Sequence, residues 1–397
     1  MTTLRLSVGL NWRLILGTVV VLLAVAGSTT ASAADIAVNL GSYGALCDGV
    51  HDDRPALEAA IADVQAAGGG TITVPSGTCR IIQTASTIFT PISGPVTILG
   101  ASPDATLSLD SDVVGDYREL FRVLGDNIVL KDLKLTRSRD VFTVLLKVFG
   151  SSGFTLDNVV IDGRQDVIGG ADFDAIQLSG GAGETISDLH IDGTTIKNAT
   201  FGLFQANDTR GTVDGVTVDH STFTGNFGDD LEFNAPESSM SNITVTNSSF
   251  TNNKFTDPSV ANGIGVGFAN VQTAKVQNND FSGYTYDPVH IEDRSSHITV
   301  DNNRFANSFT AELDFASMIF IVDNSHYISV TNNTFDTSAN TNAVACVYAS
   351  SGGSPAGPPS DITITGNTFK LRPNTTDFAN YGATNITMSD NTYVTLP

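Results

Sequence analysis

Ile298-Thr299-Val300-Asp301-Asn302-Asn303-Arg304-Phe305 is the stretch on which the reading of this chain turns. The phrase returns as ISVTNNTF from Ile328, ITITGNTF from Ile362 and ITMSDNTY from Ile386, and upstream as AKVQNNDF from Ala274 and ITVTNSSF from Ile243. Fainter copies read VTVDHSTF from Val216, LHIDGTTI from Leu189, FTLDNVVI from Phe154 and IVLKDLKL from Ile128, so ten copies run at spacings of 24 to 35 residues. Apolar and polar residues alternate with period two, the mark of a strand buried on one face, and a polar corner leads to a second apolar residue. At that corner Asn279, Asn303, Asn333, Asn367 and Asn391 share one register. Asparagine tolerates the left-handed backbone of a sharp bend, and stacked copies would form a ladder.

A repeat of this length also suits a leucine-rich solenoid or a propeller. The leucine consensus and the Trp-Asp signature are both missing, and uneven coil lengths suit a parallel β-helix, which lengthens loops at its corners. The expected fold is therefore all-β, a right-handed parallel β-helix of about 10–12 coils in one domain over residues 34–397. Such a solenoid needs its open end covered. Asp52 or Asp53 can cap a helix with Pro55 in its first turn, whose face of Leu57, Ala60, Ile61 and Val64 would plug the first coil. Gly68-Gly69-Gly70 ends that helix before the strand Thr71–Val74.

Ahead of the repeats, Arg5 and Arg13 precede an apolar run from Leu14 to Ala26, and Ala31-Ser32-Ala33 closes it. That pattern reads as a signal peptide over residues 1–33, cut before Ala34, which places the protein outside the cytoplasm, extracellular or periplasmic. Without Arg5 and Arg13, 18 basic residues face 42 acidic ones, a formal charge of −24. Bulk electrostatics then exclude nucleic acid and anionic membranes as partners, and disfavour a polyanionic substrate unless cations or a local basic cluster intervene. Cys47 and Cys79 are the plausible disulfide pair, and Cys346 in its apolar run reads as a small buried hydrophobe.

The runs Asn39–Ala45, Asp48–Asp53 and GGGTITVPSGT from Gly68 to Thr78 resemble the N-terminal cassette of pectin-lyase-like β-helix proteins, among them polygalacturonase-related (family 28) glycoside hydrolases. The likeness is close over the 34–80 cassette and loose over the repeats. It implies the fold, and a class that holds hydrolases, lyases, epimerases and phage tailspikes.

The repeat register lets the strand before each phrase be stacked on its neighbours. Alternation points Ile176, Phe204, Leu231, Val266, Val289 and Ile319 inward. One outward column then reads Gln177, Gln205, Glu232, Gly267, His290, Phe320, and the next reads Ser179, Asn207, Asn234, Ala269, Glu292, Val322. Asp229 and Asp230 precede one strand, Asp287 another, and Arg294 follows. Gly267 and Ala269 would form a low floor between two polar walls about 10 Å apart, the width of a sugar ring with clearance.

Two chemistries fit, and they are weighed with a non-catalytic reading. Asp230 and Glu232, two residues apart, suit the carboxyl pair of inverting glycoside hydrolysis. Gly228-Asp229-Asp230 resembles the Asp-Asp motif of polygalacturonase-like hydrolases, which implies Asp229 or Asp230 as general acid or base. The Asn-Thr-Asp, Gly-His-Gly and Arg-Ile-Lys motifs of that family are missing. The alternative is a lyase or C5-epimerase on a uronate polymer, with His290 or a tyrosine as base and Arg294 or calcium neutralising the carboxylate. Tyr284-Thr285-Tyr286-Asp287-Pro288-Val289-His290 loosely resembles the Tyr-Gly-x-Asp-Pro-His motif of mannuronan epimerases, with one residue inserted before the histidine. A polysaccharide-binding solenoid is the third reading, stacking sugars on Tyr284, Tyr286 or Phe320 because the lone tryptophan, Trp12, falls in the leader. The hydrolase leads. It needs no cofactor, though Asp229, Asp230, Glu232 and Asp287 offer oxygen ligands for calcium. The expected catalytic residues are Asp229, Asp230, Glu232, His290 and Glu292. Gln177, Gln205, Asn207, Asn234, Gly267, Tyr284, Tyr286, Asp287 and Arg294 would bind a polysaccharide or oligosaccharide. Whether the protein is a monomer or a trimer is left open.

Overall fold

The computed structural model describes residues 36–113, 116–205, 211–235, 239–255, 263–285, 287–306, 317–340, 344–351 and 357–397. The leader read over residues 1–33, Asn207 and Tyr286 lie outside them. Three parallel sheets run the length of the molecule, two of 13 strands and one of 11. Successive coils contribute one strand to each sheet in turn, the first and last coils omitting the third sheet, and strands within each stack pair with their equivalents one coil before and after. This is the right-handed parallel β-helix expected from the repeats, with about 11 turns, and Ala34–Pro397 form one compact unit.

The recurring phrase spans the first two sheets. Its first half is the sheet-one strand, as in Ser296–Asp301, and its second half the short sheet-two strand, as in Arg304–Ala306. The closing aromatic of each phrase points inward, and Phe223, Phe250, Phe281, Phe305, Phe335 and Phe369 stack from coil to coil with ring centroids 4.7–5.1 Å apart. Each stacked pair adds about 0.5–1.5 kcal/mol beyond area burial.

The asparagine ladder forms, but with a different division of labour at the corner. The backbone N–H groups of Asn279, Asn303 and Asn333 each donate to the side-chain oxygen of the next asparagine at 2.8 Å, and that of Asn367 donates to Asn391 at 2.9 Å. Their amide nitrogens donate to carbonyls one coil back, such as Asn333 Nδ2 to Val300 O at 2.8 Å. The left-handed turn falls on the residue before: Asn278, Asn302, Asn332, Gly366 and Asp390 have φ between 54° and 69°. The ladder residues are thus buried hydrogen-bond staples, and the bend belongs to their neighbours.

The capping helix runs Arg54–Ala66 and buries Ala56, Leu57, Ala60, Ile61 and Val64. Asp53 precedes it, yet its carboxylate does not cap the helix. It accepts from the backbone N–H of Leu46 at 2.8 Å, of Cys47 at 3.2 Å and of Arg80 at 3.1 Å, pinning the cassette to the second coil. Cys47 and Cys79 are disulfide-bonded and Cys346 is a buried free thiol. Gly70 has φ 151°, and a Cβ there would lie 2.1 Å from Ile36 O, so only glycine lets the third strand reach the first. Among the described residues no helix is long and apolar enough to cross a membrane.

Candidate active site

The candidate residues gather on the outer face of sheet three. Strand register aligns Glu232, Gly267 and His290, with Phe320 next, and beside them Asn234, Ala269 and Glu292. These are the two columns the repeat register implies. Glu232, Asn234, Gly267, Ala269, His290 and Glu292, together with Asp229 and Ile264, line a cleft of about 60 Å³ whose floor is Gly267.

One coil departs from the expected facing. Leu203 aligns with Ile176, Phe204 with Gln177 and Gln205 with Leu178. Phe204 therefore faces out, where its ring packs 4.9 Å from Phe201, while Gln205 is buried on the core side and is withdrawn from the outer surface. Two adjacent apolar residues allow either facing, and a slip of one residue exchanges every side chain on the strand.

The acidic pair is split as well. The sheet-three strand spans Leu231–Asn234, so Asp229 and Asp230 sit in the bend before it, where period-two alternation no longer holds. Asp230 turns into the core, accepting from Asn226 Nδ2 at 2.6 Å and from the Tyr284 hydroxyl. Burial pushes its carboxyl up to about 7, against the pull of those two hydrogen bonds. Tyr284 is itself fully buried, and burial followed by the Asp230 charge raises its hydroxyl well above the usual phenol value. Neither Asp230 nor Tyr284 reaches the cleft, so the expected catalytic role of one and sugar-binding role of the other are replaced by a shared core hydrogen bond.

Asp229 instead shares the cleft with Glu232. Its Oδ1 accepts from the backbone N–H of Gly263 at 2.6 Å and of Ile264 at 2.8 Å. The same three-residue step recurs along the sheet: Glu119 binds Arg122, Asp174 lies 3.5 Å from Gln177 Nε2, and Asp287 Oδ2 lies 3.2 Å from His290 Nδ1. The bend thus brings position i beside position i+3 on coil after coil. Asp287 is not a cleft wall but a buried support, since its other oxygen accepts from the backbone N–H and hydroxyl of Ser317 at 3.2 and 3.1 Å.

Electrostatics divide the cleft into unlike groups. Burial, reinforced by the Glu232 charge, lifts the Asp229 carboxyl well above its usual range and outweighs the two backbone donors. Burial likewise lifts Glu232 to about 7, with the Glu292 charge adding and the Asn234 amide, 3.2 Å from its Oε1, opposing. His290 runs the other way. Burial disfavours its charge, but Asp287 on Nδ1 and Glu292, with Oε2 3.3 Å from Nε2, together raise it to about 10. Glu292 in turn is held below its ordinary value, because the His290 hydrogen bond and charge outweigh burial. Burial thus disfavours charge on Asp229 and Glu232, while the carboxylates beside His290 favour charge on the imidazole.

Gly267 is not required by the protein itself. A Cβ there would meet Ile264 Cγ2 at 3.6 Å and Leu231 O at 3.8 Å, both ordinary contacts, and its φ is unexceptional. Relief of internal crowding does not explain the glycine. Asp174, two coils away, is nearly buried, and burial with the charges of Asp172 and Glu232 raises it to about 7. Arg294 lies in the exposed turn after the strand and does not line the cleft.

The four acids considered for calcium point apart: Asp230 into the core, Asp287 to Ser317 and His290, Asp229 and Glu232 to the cleft. Among the described residues a carboxylate–imidazole group does converge elsewhere, at Asp192, Asp219 and His220 on sheet one.

Comparison with known proteins gives a consistent picture. A family model described as a right handed beta helix region matches residues 174–369. Mannuronan C5-epimerase AlgE5 of Azotobacter vinelandii is 37% identical over 109 residues, 26% of this chain and 11% of that protein. AlgE1 of the same organism is 31% identical over 132 residues, 32% of this chain and 8% of its own length. The chain thus spans about a tenth of these relatives. Among solved structures, the A-module of Azotobacter vinelandii mannuronan C-5 epimerase AlgE6 superposes with a TM-score of 0.56 at 18% identity, covering 91% of this chain and 99% of that one. The pre-mature bacteriophage phi29 gene product 12 gives 0.51 at 12% identity over 89% and 52%. At those identities the structures share the fold.

Proposed function

We propose that this protein is an exported carbohydrate-active enzyme that removes the C5 proton of a uronate unit in a polysaccharide, as a C5-epimerase or a lyase. The observation that carries the reading is an imidazolium at His290 facing, across the Gly267 floor, a Glu232 carboxyl that titrates at about 7. The sequence matches to mannuronan C5-epimerases favour it over hydrolysis, and the turn of Asp230 into the core removes the Asp230–Glu232 pair from the cleft.

A uronate seated over Gly267 would set its carboxylate against His290. Glu232, ionised, takes the proton from C5, and the electron pair of that C–H bond moves into the C5–C6 bond and onto the carboxylate oxygens. The charge that develops there is met by the His290 cation and by Asp229, where burial favours the neutral acid that can donate a hydrogen bond. Return of a proton to C5 on the opposite face inverts the centre. Expulsion of the C4 oxygen instead cleaves the chain, leaving a C4–C5 double bond. Because burial disfavours the charges of Asp229 and Glu232, the acid cluster repels a uronate less than its formal charge implies.

The test is a panel of uronate polymers and neutral polysaccharides, assayed for new reducing ends, unsaturated uronate absorbance and C5 inversion by NMR, with and without chelator. Inversion or unsaturation on a uronate polymer supports the reading. Reducing ends without unsaturation would replace it with hydrolysis, and the chelator arm reports whether calcium takes part.

A further inference from the structure

The outer column that holds the cleft continues toward the N-terminus. From Gly267 it runs through Glu232, Phe204 and Gln177 to Lys147 and then Arg122. The last two are cations in the most basic part of an acidic chain: residues 118–164 hold eight basic and six acidic residues, within a segment from Ala34 onward whose formal charge is −24.

Arg122 is committed to the protein. It is bound to Glu119 through Nε at 2.8 Å and NH2 at 2.5 Å, and its guanidinium lies 3.7 Å above the Phe89 ring. Lys147 is not. Among the described residues its amine forms no ion pair, and it stands 5.3 Å from the centroid of the Tyr117 ring. Tyr117 packs edge-on against Phe142 with centroids 5.8 Å apart, and Phe142 is 38% exposed. A half-exposed aromatic pair beside an unpaired ammonium suits one kind of ligand, a sugar ring that carries a carboxylate. The ring packs on the aromatic surface while the amine takes the charge. Sugar stacking on Phe320, in contrast, competes with its neighbours, since its ring already stacks on Tyr348 at 5.1 Å and lies 4.8 Å from His290.

We infer that Lys147, Tyr117 and Phe142 form a distal subsite for a uronate unit of the same polymer whose reacting unit lies over Gly267, an inference that rests on the uronate reading above. Lys147 is four coils from Gly267, about 19 Å at the spacing of neighbouring strands. An extended 1,4-linked pyranose chain advances by about one coil per sugar, so roughly four units separate the two positions. The polymer then lies along the solenoid axis with its bound end toward the capping helix, and chains too short to span the gap lose the contact.

The experiment is calorimetric binding of uronate oligomers of two to eight units, prepared from polymannuronate, to the full chain and to Lys147→Gln and Tyr117→Leu. Neutral cello-oligosaccharides serve as controls. Lys147→Gln should bind the octamer about tenfold more weakly, the share of one charge-assisted hydrogen bond, and with a shallower salt dependence. Dimer binding should be unchanged. Tyr117→Leu should weaken octamer binding while keeping the salt dependence. Wild-type binding that grows with length and is equal in both variants overturns the subsite and leaves the cleft reading intact. Wild-type protein that binds no uronate oligomer of any length overturns both.

Discussion

Gly267→Ala separates a glycine kept for the ligand from one kept for the fold. The new methyl would meet Ile264 and Leu231 at 3.6–3.8 Å, so the protein has nothing to move. Glycine in a strand is also entropically costly, so alanine should leave stability unchanged or raise it by up to about 1 kcal/mol. The cleft, however, measures only about 60 Å³, and a methyl group on its floor occupies space that a sugar ring seated there would need. Lifting a sugar ring by about 1 Å from Glu232 and His290 should cost on the order of 100-fold in kcat/KM. Thermal unfolding and steady-state kinetics on the uronate polymer that the wild-type enzyme uses make the comparison. A variant that is fully active, or one that is clearly destabilised, refutes the assignment of Gly267 as a substrate floor.

Three further outcomes follow from the same geometry. The rate should fall below about pH 7, where Glu232 gains the proton that stops it acting as a base, and again above about 10, where His290 loses its charge; a profile with its acid limb near 4 would remove Glu232 from that role. Asp230→Asn should keep near-wild-type activity. Because burial raises the Asp230 pKa to about 7, the acid favours the fold while protonated and loses that benefit as pH climbs from its unfolded value near 4 through 7. The variant should therefore unfold at the same or a higher temperature than wild type at pH 8, and a folded but inactive protein would return Asp230 to the cleft. Asn333→Ala strands the Asn303 N–H and the Val300 carbonyl inside the ladder, so urea denaturation should show a loss of about 2–4 kcal/mol; a loss below about 0.5 kcal/mol would mean the ladder is ornamental to stability.

What could be read from sequence, and what could not, follows from the period of the strand. Within Leu231–Asn234, Val266–Ala269 and Val289–Glu292 alternation holds, so the Glu232–Gly267–His290 column was legible from the repeats alone. It fails at Leu203-Phe204-Gln205, where two apolar neighbours leave the facing undecided, and at Asp229-Asp230, where a bend replaces the strand. The ladder was legible as a column of asparagines, but its separation from the left-handed residue beside it depends on backbone angles that a repeated Asn-Asn hides. The charge on His290 was out of reach for another reason: it needs Asp287 below and Glu292 beside it at once, and Asp287 is held by a contact with Ser317 from the next coil. The distal aromatics were overlooked because Tyr117 and Phe142 come from neighbouring coils and carry no motif.

The central claim is proton removal at C5 by Glu232. Wild-type protein and Glu232→Gln, each incubated with a uronate polymer in deuterium oxide, can be followed by NMR for C5 inversion with deuterium incorporation and for the C4–C5 unsaturation of elimination. The account predicts one or both products with the wild-type protein and loss of about 1,000-fold or more in the variant, the scale of a general base. Neither product with the wild-type protein, or a Glu232→Gln rate equal to it, would contradict the account.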